Sequence, residues 1–313
     1  MLNALNRLKT IFAPERKTPA PSPKPQATPL TPGRLHFTQE RFDAYKAHVL
    51  AAARAARVVE KPFYHMYIEK IFPDELYEAV NKRISVYEDK KKLGQRKQDN
   101  PEHVNNRFNL KDSTEPEITY IKRLFEDKDI KRAFAEKFYM RPDEMLEGLR
   151  VHHDEFEVIY IPKGRFQNIH VDIPAKFMSF VFYFPRTEPT QEEADHNGTI
   201  CYDRDLNPTY GAKYKPNSVG IFVPHFYSYH GFSSTLERRA IIMFYVNDSE
   251  FEQWRPIALQ SDEPPFNGLK DCIAAKLKKH PLIEYGDDPD RIEREREACL
   301  VNAPRGRVVR DHS

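Results

Sequence analysis

Apolar positions repeat at two different periods along this chain, and the change of period divides it. Up to about residue 148 the repeat is helical. Residues 38–60 predict a helix: Thr38 stands at the capping position, the Ala-rich stretch Ala51–Ala56 has high helix propensity, and Pro62 stops it. Residues 63–69 alternate and carry aromatics, which predicts a strand. Pro73 opens a second helix, with Leu76, Tyr77 and Val80 at helical spacing as far as about Val86. Glu88–Gln98 is highly charged and predicts a solvated loop. Ile118, Ile121, Leu124 and Phe125, then Ile130, Phe134 and Phe138, predict two helices over 116–139 with a break near Asp127–Asp129.

From about residue 149 the period falls to two. Short β-rich runs occur at Val158–Ile161, Phe177–Phe184, Thr199–Tyr202, Val219–Val223 and Arg239–Val246, separated by Gly, Pro, Asn and Asp clusters. Such spacing predicts a sandwich or barrel. After Pro256 a helical pattern returns, clearest at Leu269–Leu277, and no internal repeat is evident. Four regions follow: a tail over 1–35, a helical N-terminal part over 36–148, a β core over 149–250 and a C-terminal helical extension over 251–313. The tail holds seven prolines and one acidic residue, Glu15, so it lacks apolar surface to offset its ordering and is expected to be disordered. Leu2, Leu5, Leu8, Ile11 and Phe12 make one apolar helical face beside Arg7 and Lys9. A membrane-surface or partner-docking helix is the alternative there to a frayed terminus, and the Pro-rich segment is a docking point or a linker.

Composition narrows the function classes. With 313 residues, 40% hydrophobic and 31% charged, the chain has the balance of a globular protein with a sizeable core. A net charge of +2 supplies no concentrated basic field, which argues against nucleic-acid binding. The three cysteines, Cys201, Cys272 and Cys299, are odd in number and lack zinc-ribbon or CxxC spacing. A disulfide scaffold is therefore not expected, and a reducing cytoplasm is. No apolar run approaches the roughly 20 residues of a membrane span, and Arg7 and Lys9 interrupt the N-terminal stretch as a secretory signal would not allow.

The chemistry-bearing pattern is His170-Val171-Asp172, followed sixty residues later by His230. On a strand, positions i and i+2 share a face, so one imidazole and one carboxylate would aim at a common point. Two histidines and a carboxylate suit an octahedral iron(II), with three positions left for a bidentate 2-oxo acid and O2. A second HxD, His152-His153-Asp154, lies in a polar stretch before the first core strand, where surface polarity is the simpler account of His152 and His153. His225 competes with His230 as distal ligand, and the proximity of His230 to Gly231 and to the arginines favours His230. Arg238-Arg239-Ala240-Ile241 opens an apolar β-run eight residues beyond His230. A guanidinium there would bind the far carboxylate of a 2-oxo diacid through two parallel hydrogen bonds. Alternation sends Arg238 and Arg239 to opposite faces, and the residues alone leave open which points inward.

Several pieces together resemble a known family: Tyr160-Ile161-Pro162-Lys163-Gly164, His170-Val171-Asp172, Phe180–Phe184, Pro216–Phe222, His230-Gly231-Phe232 and Arg238-Arg239-Ala240-Ile241. From about residue 158 to 247 the chain is similar to the iron(II)/2-oxoglutarate dioxygenase superfamily, in its prolyl-hydroxylase-like branch. The resemblance implies an α+β fold with a double-stranded β-helix, or jelly roll, flanked by N- and C-terminal helices. It implies iron(II) on His170, Asp172 and His230, 2-oxoglutarate on Arg238, and hydrogen bonds to that cosubstrate from Tyr160 and Tyr183. It implies consumption of O2 and release of succinate and CO2 as an unactivated C–H bond is hydroxylated. The carboxylate of Asp172 fills the position that halogenating relatives leave for chloride, so hydroxylation is expected over halogenation. Many members carry Gly-Gly-x-Leu where this chain has Asn197-Gly198-Thr199-Ile200, which alters the loop near the iron, so the substrates of those members do not carry over to this chain. The charged segment between Pro185 and Pro216, with Glu188, Glu192, Glu193 and Asp195, is expected to border the entrance for a small-molecule or peptidyl substrate. A cupin-type isomerase without 2-oxoglutarate, or a non-catalytic jelly-roll module, would have no use for Arg238.

Overall fold

The computed structural model describes residues 35–89, 94–95, 106–139, 142–146, 148–170, 172, 176–203, 207–224 and 228–247. The tail, the C-terminal extension with Leu269–Leu277, and most of Glu88–Gln98 lie outside those residues.

In chain order the helices are α1 (Gln39–Ala55), α2 (Asp74–Asp89), α3 (Pro116–Glu126), α4 (Lys128–Phe138), α5 (Pro142–Leu146) and α6 (Gln191–His196). The strands are β1 (Val58–Val59), β2 (His65–Glu69), β3 (Gly94–Gln95), β4 (Asn106–Asn109), β5 (Leu149–Val151), β6 (Glu157–Ile161), β7 (Phe166–His170), β8 (Lys176–Tyr183), β9 (Ile200–Tyr202), β10 (Pro208–Gly211), β11 (Ser218–Phe222), β12 (His230–Ser233) and β13 (Arg238–Asn247). Thr38 caps α1 by accepting from Arg41 N, but α1 stops at Ala55, short of the predicted residue 60, because Val58–Val59 leave it to pair with β2. The break between α3 and α4 has a local cause. Asp127 accepts from the backbone nitrogens of Asp129 and Ile130 and so starts α4, while Lys46 of α1 bridges Asp127 at 2.8 Å and Asp129 at 2.6 Å.

Strands β6–β13 behave as one long hairpin wound on itself. Its first half pairs antiparallel with its second in mirror order: β6 with β13, β7 with β12, β8 with β11, and β9 with β10. Winding places these strands alternately in two sheets, ordered β11-β8-β13-β6 and β10-β9-β12-β7. That is the double-stranded β-helix, or jelly roll. The larger sheet continues past β11 into β2 and β1, and past β6 into β4 and β3, while β5 pairs with the end of β13.

The larger sheet is buried on both faces, which is why its strands read as unbroken apolar runs. The outer residues Phe180, Phe182, Ile241, Met243 and Tyr245 pack with Leu124, Phe125, Phe134 and Phe138 of α3 and α4. Each fully buried phenylalanine contributes roughly 1.5–3 kcal/mol. The inner residues Ile159, Ile161, Ile242, Phe244 and Val246 meet Phe232 of the smaller sheet.

The segment between Pro185 and Pro216 is not a simple loop. It holds α6, β9 and β10, and Glu193 forms a capping box with Thr190 at the start of α6. The turn after α6 passes close against the chain before Tyr214. A Cβ added to Gly198 would overlap the carbonyl oxygen of Ala212. Replacing Gly198 with Ala should therefore cost about 3 kcal/mol, as overpacking against backbone does, seen as a lower urea midpoint with an unchanged slope.

Candidate active site

A cavity of about 240 Å³ lies between the two sheets. His230 opens β12 and reaches this space from the smaller sheet. Its Nδ1 lies 2.8 Å from the Ser228 carbonyl oxygen. A carbonyl only accepts, so Nδ1 carries the proton and Nε2 the lone pair. That Nε2 stands 3.9 Å from Oδ2 of Asp172.

Two side chains of β8 hold the Asp172 carboxylate. Ser179 Oγ donates to Oδ2 at 2.7 Å, and Lys176 Nζ stands 3.6 Å from Oδ1. Lys176 is itself fixed by Glu155 at 2.7 Å and lies 3.5 Å over the Phe244 ring. Burial opposes the charge on Glu155, but the Lys176 ammonium outweighs it and holds the carboxyl below its ordinary range.

His170 is the last residue of β7 and the register partner of His230; its side chain lies outside the described residues. β7 ends at His170 and Asp172 lies beyond it, so the shared strand face expected of the pair falls outside the described residues. Among the described residues no three His, Cys, Asp or Glu side chains gather to hold a metal. His225 lies outside them. Cys201 is buried and unbridged, and burial pushes its thiol up to about 12, so it offers no thiolate.

The two arginines part company as alternation demands. Arg239 faces the helices, where Nε donates to the Phe184 carbonyl at 2.9 Å, Nη1 to Ser85 Oγ at 2.9 Å and Nη2 to Asn81 Oδ1 at 2.7 Å. Arg238 faces the cavity and is only 3% exposed. Its Nη2 donates to Thr199 Oγ1 at 3.1 Å, and its guanidinium lies 3.9 Å over the Phe232 ring and 5.3 Å from that of Tyr183. Its Nε is buried without a hydrogen-bond partner, and no carboxylate among the described residues meets its charge.

Tyr183 and Tyr160 differ from the expectation. The Tyr183 hydroxyl donates to Thr199 Oγ1 at 2.7 Å and accepts from Thr199 N at 3.1 Å, so it braces Thr199 and does not itself line the cavity. Tyr160 is a correction: Ile159 and Ile161 line the cavity, so alternation turns Tyr160 away, and its hydroxyl donates to Glu237 at 2.8 Å. His152 is a correction too. It is buried, not a surface residue, and its Nδ1 accepts from Glu155 N at 3.1 Å within a 3₁₀ turn, while His153 is exposed. Burial lowers the His152 pKa and keeps the ring neutral for that role. Of the segment between Pro185 and Pro216, Thr199 is the residue that lines the cavity among those described; Glu192, Glu193 and Asp195 lie on α6 away from it.

Thr199, Ser179 and Lys176 were not singled out by sequence reasoning. A signal existed for each: Thr199 stands in the departure Asn197-Gly198-Thr199-Ile200, and Lys176 and Ser179 are the polar members of an apolar strand.

The chain is similar in fold to prolyl hydroxylases and other 2-oxoglutarate/iron(II) oxygenases. Among solved structures, a Pseudomonas putida prolyl-4-hydroxylase is 12% identical, with a TM-score of 0.45 over 64% of this chain and 98% of that one. A prolyl hydroxylase from Trichoplax adhaerens, solved with a peptide fragment of the hypoxia inducible factor oxygen degradation domain, is 11% identical, with a TM-score of 0.46 over 71% and 96%. An oxidoreductase of the 2OG-Fe(II) oxygenase family from Burkholderia pseudomallei is 17% identical, with a TM-score of 0.37 over 68% and 95%. No family model and no curated protein matches the chain. The mirror pairing of strands carries the fold assignment without these likenesses.

The contrast between neighbouring arginines predicts opposite stability effects. Arg239→Met should cost about 3 kcal/mol, since it strands the buried Phe184 carbonyl and the half-buried Asn81 and Ser85 oxygens. Arg238→Met should leave stability unchanged or raise it by about 1 kcal/mol, because it removes a buried charge that has no counter-ion among the described residues. Urea unfolding of both variants beside the parent checks the pair.

Proposed function

We propose that this chain is an iron(II)- and 2-oxoglutarate-dependent dioxygenase that hydroxylates an unactivated C–H bond of a small-molecule or peptidyl substrate. One observation carries the reading: a buried guanidinium, Arg238, with no counter-ion among the described residues, lines the same cavity as His230 and Asp172. A buried charge is costly unless matched, so its retention points to an anionic ligand that supplies the match.

The residues fit the group the reading requires. His230 Nε2 and the Asp172 carboxylate are nitrogen and oxygen donors without thiolate, which suits labile iron(II). His170, opposite His230 in the β7–β12 register, would complete the set. When bound, iron(II) with 2-oxoglutarate and O2 supplies an oxidant strong enough for C–H hydroxylation, with succinate and CO2 as co-products. The chain's own part is positioning. Ser179 and Lys176 fix the carboxylate of Asp172, as hydrogen-bonded neighbours of metal ligands do. The Ser228 carbonyl fixes the His230 tautomer.

Arg238 and Thr199 would hold the far carboxylate of 2-oxoglutarate. Thr199 Oγ1 accepts from both Arg238 and Tyr183, which leaves its own proton to donate to that carboxylate. Tyr183 acts through Thr199 as a positioning residue. Phe232, Ile242 and Phe244 line the cavity with apolar surface, which excludes water from an oxidising step and strengthens the Arg238 contact. In this reading residues 149–250 are the oxygenase core and residues 36–148 buttress it, in a reducing cytoplasm where iron(II) and the Cys201 thiol persist.

The test is anaerobic titration of iron(II) and 2-oxoglutarate into the folded protein, read by the metal-to-ligand charge-transfer band. The parent should develop the band. Asp172→Ala should neither develop the band nor release succinate. Arg238→Met should need at least about 100-fold more 2-oxoglutarate, the loss expected when one partner of a buried charge pair is removed. A folded parent that shows no band would end the proposal.

A further inference from the structure

Two buried arginine nitrogens of the larger sheet lack a hydrogen-bond partner among the described residues: Nε of Arg238 and Nε of Arg107. Both residues line the same cavity. Arg107 belongs to β4, outside the eight strands of the jelly roll, on the extension of the sheet beyond β6. Its register partner is Ile159, whose partner across β6 is Ala240 of β13. Directly opposed residues share a face, so the row Arg107, Ile159, Ala240 faces inward together with Arg238.

The head of Arg107 lies further along the wall. Its Nη1 donates to Glu157 at 2.8 Å, and Glu157 is paired in register with Ile242. Ile242 is four residues along β13 from Arg238, roughly 13 Å at the rise of an antiparallel strand. The next inward residue, Phe244, pairs with Ser179, which holds Asp172. The Arg107 head therefore stands level with the proposed metal residues, at the other end of the wall from Arg238.

A guanidinium has two edges that each present a parallel pair of N–H donors. Glu157 takes Nη1, and the Nε–Nη2 edge of Arg107 has no partner among the described residues. Leaving a buried donor unmade costs roughly 1–3 kcal/mol, and a lysine at this position would reach Glu157 without that cost. The free edge has the planar two-donor form that a carboxylate or phosphate completes.

We infer that Arg107 anchors an oxyanion of the substrate, a carboxylate or a phosphate, through its Nε–Nη2 edge. The cavity then presents two guanidinium groups, Arg238 for the cosubstrate at one end and Arg107 for the substrate at the other, level with Asp172 and His230. The inference rests on the cosubstrate reading of Arg238 for the identity of the Arg107 ligand as substrate. It makes the substrate an anionic small molecule or an anionic peptidyl group, held so that its C–H bond faces His230 and Asp172.

The test uses the full chain labelled with ¹⁵N, loaded with zinc(II) and 2-oxoglutarate, and reads the arginine Nε–H resonances. Arg107→Lys and Arg107→Gln both identify the Arg107 signal by its absence, so one folded variant suffices. Sodium acetate, methyl phosphate and sodium chloride are then titrated separately at constant ionic strength. The Arg107 signal should move and saturate with acetate or methyl phosphate at least tenfold more tightly than with chloride, and the tighter of the two names the oxyanion. No movement with either, or equal movement with chloride, would overturn the inference and leave a water-filled edge. The Arg238 signal is followed during 2-oxoglutarate addition in the same samples. If it alone fails to move, the cosubstrate reading falls while the anion site at Arg107 stands.

Discussion

The pairing of β13 with β6 on one side and β8 on the other is the constraint on which the site depends. β13 lies inside the larger sheet and is buried on both faces, so its register decides which side chains enter the cavity and which join the helical layer. Its first two residues are both arginine. A slip of one residue would exchange them, because side chains alternate strictly along a strand. Arg239 would then lose Asn81, Ser85 and Phe184, and Arg238 would lose Thr199 and leave the cavity. The polar contacts of Arg239 thus help to hold in place the geometry that presents Arg238.

The larger sheet was readable from residue pattern because burial on both faces leaves long apolar runs such as Phe177–Phe184. The helices were readable too, down to the break at Asp127, since capping is a local event. Of the smaller sheet only β9, within the run Thr199–Tyr202, was readable. Phe166–His170, Pro208–Gly211 and His230–Ser233 carry no run or alternation of their own, and they are strands because the mirror halves of the hairpin bring partners to them. Sequence separation hid the site's supports for the same reason. Ser179 meets Asp172 only once the chain turns between β7 and β8, and Glu155 meets Lys176 only through a 3₁₀ turn that also buries His152. The candidate set His170, Asp172, His230 and Arg238 could be named from motif and spacing, whereas Thr199 needed the fold: its hydroxyl is defined by Tyr183 and Arg238, which arrive from two other strands.

The departure Asn197-Gly198-Thr199-Ile200 has a structural account. The Asn197 carboxamide is fully buried and works as a latch between the end of α6 and the turn before β13. Its oxygen accepts from Thr235 N at 2.7 Å and Leu236 N at 3.0 Å, and its nitrogen donates to the Glu193 carbonyl at 2.7 Å. Glycine at that position would free the turn that leads directly into Arg238. The latch and the Tyr183–Thr199 contact together brace the closed end of the cavity from the smaller-sheet side.

That latch carries a chemical liability. Asn197 precedes Gly198, and in an Asn-Gly pair the unhindered backbone nitrogen attacks the side-chain amide, converting it with time to aspartate or isoaspartate. Here the folded chain restrains the reaction, since the amide is bonded at both its oxygen and its nitrogen and Gly198 is pressed against Ala212. Each excursion that opens this corner exposes the pair to a change that refolding does not reverse. The working lifetime of the protein is therefore set by how often α6 lifts from its neighbours as well as by global unfolding, and aged molecules would carry a negative charge beneath the strand that presents Arg238.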